Sequence, residues 1–454
     1  MSSTTFASLG VPSALVDVLA QGGIDAPFPI QAASLPDTLN GRDVLARGKT
    51  GSGKTLGFSI PVVARIAQGK RVPGRPRALV LAPTRELATQ ISAVIEPLAA
   101  AYRMKVTTIF GGVSQHRQVQ ALKAGVDIVV ACPGRLDDLL KQRHLTLDGI
   151  EITVLDEADH MADLGFLPVV TRLLAATPSS GQRLLFSATL DNDVDKLVKR
   201  FLHSPAEHSV DSADSPVAAM THHVFTVAGP DAKRELINTL ASGSGRRILF
   251  MRTKHHAKRL AHQLTQSGIP SVDLHGNLSQ GARDRNLAAF SNGDARVLVA
   301  TDVAARGVHV DDVALVVHVD PPAEHKAYLH RSGRTARAGG SGDVVTLVLP
   351  EQRRDVDALL RKAAIKATPR QVTADSAEVT NLVGEIAPYV KPAPAQKPNG
   401  SSAANGQRPR GGAEGRPART PRRGGQGQGR QGQSQGRQGQ GQRSARRAGN
   451  SASR

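Results

Sequence analysis

Up to about residue 350, short apolar runs rich in β-branched residues recur along the chain. Each ends in small or polar residues and is followed by a longer segment with helical spacing. Strands that read as continuous apolar runs are buried on both faces, so the alternation predicts an α/β fold with parallel sheets covered by helices on both sides. Strands are expected at 78–81, 106–110, 127–131, 152–155 and 183–186, and again at 248–251, 297–300, 313–319 and 343–349. Two sets of strands predict two tandem sheets. Between them the polar, unpatterned stretch HSVDSADSPVAA, residues 208–219, reads as a linker.

Length agrees with this division, because 454 residues allow two or three domains that each bury a core. With ten Phe, three Tyr and no Trp, those cores must be built from Val, Leu, Ile and Ala. The organisation expected is a first domain over 1–207, the linker at 208–219, a second domain over 220–372 and a tail over 373–454.

Charge is distributed unevenly. Lys plus Arg number 58 against 39 Asp plus Glu, a net of +19, which points to a polyanionic partner and most simply to nucleic acid. From residue 391 onward there are 14 cations and one acid, Glu414, a net of +13 that leaves +6 for the rest. That segment is Gly, Gln, Arg, Ser and Pro with no large apolar residue after Val390. It cannot offset the entropy of ordering and is expected to be disordered, acting as a non-specific nucleic-acid tether or simply as a solubilising tail. One cysteine, Cys132, excludes an internal disulfide and a CxxC motif and suits a reducing compartment. The N-terminal sequence lacks a signal-peptide pattern, and nowhere do 18 apolar residues run together, so a cytoplasmic protein is expected.

Two motifs carry phosphate chemistry. GKTGSGKT, residues 48–55, fits GxxxxGK[ST] between an apolar run and a helical segment. In such a loop the backbone N–H groups of Gly48, Lys49, Thr50, Gly51, Ser52 and Gly53 cradle phosphates, Lys54 reaches the β and γ phosphates, and the Thr55 hydroxyl can ligate Mg²⁺. Further on, the strand at 152–155 ends in Asp156-Glu157-Ala158-Asp159. An acid there can hold the same Mg²⁺, and Glu157 can orient or deprotonate a water. Together they specify an NTPase that uses Mg²⁺. A third segment, HRSGRTARAG at 330–339, places Arg331, Arg334 and Arg337 where they could present positive charge to a γ-phosphate held by the other domain. Hydrolysis would then require the two domains to close.

Asp156-Glu157-Ala158-Asp159 spells DEAD, and over roughly residues 6–350 the chain resembles the DEAD-box RNA helicases of superfamily 2. The resemblance is carried by the P-loop, Pro83-Thr84-Arg85-Glu86-Leu87, Gly111-Gly112, Pro133-Gly134-Arg135 and Ser187-Ala188-Thr189. In the second half it is carried by His275-Gly276, Gln280, Arg283, ATDVAARG at 300–307 and the Arg motif. It implies two RecA-like domains, hydrolysis of ATP, and a chain that works as a monomer. It further implies that Gln31 bonds adenine and Phe6 stacks on it, and that Arg334 and Arg337 meet the γ-phosphate. His330 would touch the Ser187–Thr189 and DEAD segments. RNA would be held by Pro83, Thr84, Arg85, Gly111, Gly112, Pro133, Gly134, Arg135, Gly276, Gln280, Arg283, Thr301 and Asp302, through contacts that read no sequence. On spacing alone the loops among these are equally ordinary turns.

Some positions depart from the family pattern: Gly48, Phe28, Cys132, Ser332, Ala336 and above all His309, where an Asp usually accepts from the ribose hydroxyls. The pairs His222-His223 and His255-His256 lack an acid or cysteine at metal spacing. Three functions share these motifs: an ATP-dependent RNA helicase, an ATP-gated RNA clamp or annealing chaperone, and a DNA translocase, which the DEAD and Arg motifs disfavour.

Overall fold

The computed structural model describes residues 4–48, 51–189, 192–209, 220–305, 310, 312–336 and 341–392. Their strands assort into two sheets of seven, in which every pairing is parallel. The first comprises β1 (Val44–Arg47), β2 (Ala78–Leu81), β3 (Val106–Ile109), β4 (Ile128–Ala131), β5 (Ile152–Asp156), β6 (Gln182–Ser187) and β7 (Ala206–Ser209), in the order β3-β4-β2-β5-β6-β1-β7. The second comprises β8 (Met220–Thr226), β9 (Arg246–Phe250), β10 (Ser271–Leu274), β11 (Val297–Ala300), β12 (Val313–His318), β13 (Gly342–Val348) and β14 (Pro369–Gln371), in the order β10-β11-β9-β12-β13-β8-β14.

The interior strands β2, β4 and β11 are apolar at every position because each face meets helices. In β2, Ala78 and Val80 join Ile91 and Leu98 of the Arg85–Ala100 helix, while Leu79 and Leu81 join Leu136 and Leu139 of the Pro133–Lys141 helix. Each such buried Leu or Val stabilises the fold by ~1.5–3 kcal/mol relative to exposure. The nine expected strands and the run before the P-loop all form, shifted by at most two residues at an end.

Four strands had no apolar run to announce them. β7, β10 and β14 are sheet edges and β8 lies next to one, so partial exposure lets polar residues into AEHS, SVDL and MTHHVFT. Two boundaries move as a result. β7 pairs with β1 as far as Ser209, so the linker expected from 208 begins no earlier than 210, and residues 210–219 lie outside the described ones. The tail expected from 373 begins later as well. The Ala377–Val383 helix places Val379 and Val383 in the second core, and Arg247 Nη2 donates to the Val383 carbonyl at 2.8 Å. Residues from 393 on, which hold most of the basic tail, lie outside the described ones.

Candidate functional site

Loops at the carboxyl ends of parallel strands are where an open α/β sheet presents its ligand-binding groups. Strand order sorts them by chemistry. In the first sheet β5, β6 and β1 are neighbours and end in the DEAD segment, Ser187-Ala188-Thr189 and the P-loop. The adjacent trio β3, β4 and β2 ends in the Gly111, Pro133 and Pro83 loops. Phosphate chemistry and the candidate RNA loops therefore occupy opposite halves of one sheet edge.

The P-loop leaves β1 through Gly48, whose N–H donates to the Ser187 carbonyl at 3.1 Å, and enters the Lys54–Arg65 helix. Gly51 and Gly53 have φ of 88° and 87°, left-handed values that favour glycine. A Cβ on Gly53 would lie 2.5 Å from Phe28 Cδ2 and 2.6 Å from Gln31 Nε2, so the loop is closely walled. Lys54 is buried and its ammonium donates to the Gly48 carbonyl at 2.8 Å, while the Ser52 Oγ is buried without a partner among the described residues. Thr55 lies on the first turn of the helix; Lys49 and Thr50 lie outside the described residues. Gln31 donates to the Gly53 carbonyl at 2.8 Å and accepts from the Phe28 N–H at 2.9 Å, which ties it to the loop. Phe6, expected to stack on adenine, packs with Val11 and Leu15 in the core and is only 2% exposed. Phe28, at 51%, is the open aromatic beside the loop.

Asp156 ends β5 and is buried. Burial pushes its carboxyl up to about 7, against the pull of the Lys54 charge and with the push of Glu157. Glu157 follows with φ 51°, strained for a residue with a Cβ. Burial alone would raise it, but the charge and hydrogen bond of His160, with Lys54 and Arg334, hold this carboxyl well below the usual range. Asp159 accepts from the Thr189 N–H at 2.9 Å and hydroxyl at 2.8 Å, and its own N–H donates to Ser187 Oγ at 3.3 Å.

The second lobe completes this cluster. His160 Nδ1 lies 2.6 Å from Glu157 Oε2, and its Nε2 lies 2.7 Å from His330 Nδ1. Burial, then the neighbouring His160, depresses the His330 imidazole to about 3. Arg334 is buried, and its charge acts on Glu157. His160 went unnoticed in the sequence, although it stands at helical i+3 spacing from Glu157. Arg331 does not join the phosphate-facing set, contrary to expectation: its Nη2 donates to Asp302 Oδ2 at 2.8 Å and its Nη1 to the Asp320 carbonyl at 2.7 Å, within its own lobe. Arg337 and His309 lie outside the described residues.

The candidate RNA residues behave in two ways. Some are open backbone: a Cβ added at Gly134 or Gly276 would meet nothing within 4 Å. Pro133 opens the Pro133–Lys141 helix, and Thr84 caps the Arg85–Ala100 helix by accepting from the Leu87 N–H at 3.3 Å. Thr301 precedes the short helix that starts at Asp302, the carboxylate already held by Arg331. Others join the lobes directly. Arg85 Nη1 donates to Gln280 Oε1 at 2.7 Å, and Arg283 Nε donates to Glu86 Oε1 at 2.8 Å. Gly112, with φ 73°, lies against the Arg85 guanidinium, and Arg135 donates to the Val113 carbonyl at 3.2 Å beside Gly111. Glu86 was another omission, legible only as the one acid in the Pro83–Leu87 motif.

The pattern of the DEAD/DEAH box helicase family matches residues 28–197, and that of the helicase conserved C-terminal domain matches residues 231–339. Over 371 residues the chain is 36% identical to the ATP-dependent RNA helicase RhlB of Pseudomonas syringae pv. tomato, covering 80% of this chain and 94% of that one. The chain belongs to the DEAD-box helicase family. It is also 40% identical over 344 residues to the ATP-dependent RNA helicase-like protein DB10 of Nicotiana sylvestris, covering 75% of this chain. It spans 56% of the length of that relative and 60% of the DEAD-box ATP-dependent RNA helicase 14 of Arabidopsis thaliana. Among solved structures, S. cerevisiae Dbp5 bound to RNA and ADP BeF3 superposes with a TM-score of 0.73 at 27% identity, covering 84% of this chain and all of that one. The two sheets of this DEAD-box protein are thus tandem RecA-like domains.

Proposed function

We propose that this protein is an ATP-dependent RNA helicase: ATP and RNA close the two lobes, closure separates short duplex locally, and hydrolysis releases the strand. One observation carries the reading. The Glu157 carboxylate sits in a buried polar cluster to which the other lobe contributes His330, through His160, and the charge of Arg334. A pocket finished by both lobes makes turnover depend on whatever closes them.

Gly48, Lys49, Thr50, Gly51, Ser52, Gly53 and Lys54 receive the phosphates in this reading. The buried Ser52 hydroxyl, which lacks a partner among the described residues, suits an acceptor brought by the nucleotide. Gln31 fixes the adenine side of the loop. A carboxylate as acidic as Glu157 is a weak base, so its part is to orient the attacking water by accepting its hydrogen bond. Arg334 and Arg337 counter the charge that spreads over the γ-phosphate, and Ser187 and Thr189 hold Asp159 so that the DEAD segment responds to His330.

Magnesium fits the residues present: Asp156 is a buried carboxylate whose ionisation a cation would favour, and Thr55 supplies a hydroxyl beside Lys54. Bound there with Asp156 and Thr55 as ligands, it would neutralise phosphate charge. RNA lies along the Pro83, Gly111, Pro133, Gly276 and Thr301 loops and is held through its backbone. Residues 4–209 and 220–392 are the working lobes, and the basic tail tethers RNA without reading its sequence. The chain works in the cytoplasm as a monomer.

Purified protein assayed for ATPase with RNA, with DNA and with neither tests this reading. RNA-selective stimulation supports it, and DNA-selective or nucleic-acid-independent turnover overturns it. A duplex-unwinding assay run beside an annealing assay separates a helicase from a clamp.

A further inference from the structure

We propose that the exposed face of the Lys254–Gln266 helix is a second RNA-binding surface, which holds the phosphate backbone of a single strand as it passes from the cleft toward the root of the tail. The proposal rests on the RNA reading above.

The helix carries Lys254, His255, His256, Lys258, Arg259 and His262, all exposed, and no Asp or Glu among its 13 residues. At about 100° per residue, all of these except His256 fall within an arc of about 140°. Ala257, Leu260, Ala261 and Leu264 are buried in the second core on the opposite side. Ordinary solvated helices interleave both signs and gain from i,i+4 acid–base pairs. Here Lys254 and Lys258 are instead like charges at that spacing, an arrangement that a bound polyanion relieves.

Both ends of the helix point to RNA as the polyanion. At its start, Thr253 caps the helix by accepting from the His256 N–H, and Lys254 Nζ donates to Asn277 Oδ1 at 3.0 Å. Asn277 follows Gly276, the open backbone position assigned to the strand in the cleft. At its far end, Gly268 has φ 82° and lies flat against the Tyr389 ring, since a Cβ there would come within 2.0 Å of it. The Val390 N–H donates to the Gly268 carbonyl at 3.0 Å, and Tyr389 is 67% exposed. Immediately beyond begins the sequence with a net charge of +13.

The helix thus spans about 20 Å between the cleft loop and the tail root, equivalent to about six phosphates at the rise of one strand. An exposed aromatic at the end of such a track offers a face on which a base can stack. The tail itself has the wrong sign to cover this surface.

The test uses the full chain carrying Lys258→Ala and Arg259→Ala together, both outside the catalytic cluster. Binding of a 6-nucleotide and a roughly 25-nucleotide oligouridylate is followed by anisotropy across salt concentrations, with ATPase as the control. Losing two phosphate contacts should lower the log–log salt slope for the longer strand by about 1.4. Between about 50 and 200 mM salt, wild-type affinity for that strand should therefore fall about sevenfold further than that of the variant. The short strand, confined to the cleft, should bind both proteins alike.

An unchanged slope for the longer strand overturns the proposal, as does an equal loss for both lengths, which would place the effect in the cleft. So does wild-type-selective capture of polyglutamate with RNA binding untouched, which would assign the face to an acidic protein. Should RNA fail to stimulate the wild-type ATPase, the helicase reading falls, while the slope comparison still decides the surface.

Discussion

Arg283→Ala should disable closure of the lobes, and the structure sets the scale. Arg283 Nε and Glu86 Oε1 lie 2.8 Å apart across the lobes, with side chains only 12% and 9% exposed. Without Arg283, closure must dehydrate the Glu86 carboxylate with no partner, a loss of ~3–5 kcal/mol for a broken buried pair. At 1.4 kcal/mol per factor of ten, the closing equilibrium falls by about 10²- to 4 × 10³-fold.

The assay is fluorescence transfer between dyes on exposed positions of the two lobes, read with saturating RNA and a non-hydrolysable ATP analogue. The single variant should stay open. Combining Arg283→Met with Glu86→Leu should recover most of the closure, because neither charge then needs dehydration. The double variant also gives up the bond from Arg283 Nη2 to the Ala304 carbonyl at 3.1 Å, but that bond lies within the second lobe and bears on the open and closed states alike. Normal closure by the single variant, or a double variant no better than the single, refutes the reasoning.

Gly53→Ala should weaken nucleotide binding by at least about tenfold, since a left-handed non-glycine costs ~1–2 kcal/mol before the clash with Phe28 and Gln31 is counted; calorimetric titration giving an unchanged Kd would refute this. Closure should also weaken in acid. His330 is depressed from 6.5 to about 3, so the closed state excludes a proton that the open imidazole accepts. Its contribution is complete above pH ~6.5 and is lost toward pH 3, at up to about tenfold per pH unit. Fluorescence transfer in wild type and His330→Gln checks this, and a flat wild-type profile or closure that strengthens in acid would sink it. A chain ending at residue 372 should be less stable to urea than one ending at 392, because it loses the buried Val379 and Val383, worth up to ~3–6 kcal/mol together. Equal midpoints would show that the last helix adds nothing to the second lobe.

Local chain order explains what could be read in advance. The P-loop and the DEAD and Ser187–Thr189 segments each follow a central strand directly, so apolar run and motif are contiguous. Of the four edge strands only β3 carries that signal; β7, β10 and β14, with one side toward water, admit polar residues and escaped notice. Strand order across the sheet, which sorts the phosphate loops from the candidate RNA loops, leaves no trace in any single segment.

Partners distant in the chain were harder still. His160 meets a residue 170 positions away, and Glu86 one 197 positions away. The Arg motif shows why spacing alone could not decide such contacts. Arg331 and Arg334 stand one helical turn apart with the same chemistry, yet Arg331 neutralises Asp302 within its lobe while the charge of Arg334 reaches Glu157 in the other. Both are buried, and neither could be buried unpaired, so each position demands an acid. Which lobe supplies that acid separates a structural arginine from a catalytic one, and that distinction exists only once the two sheets face each other.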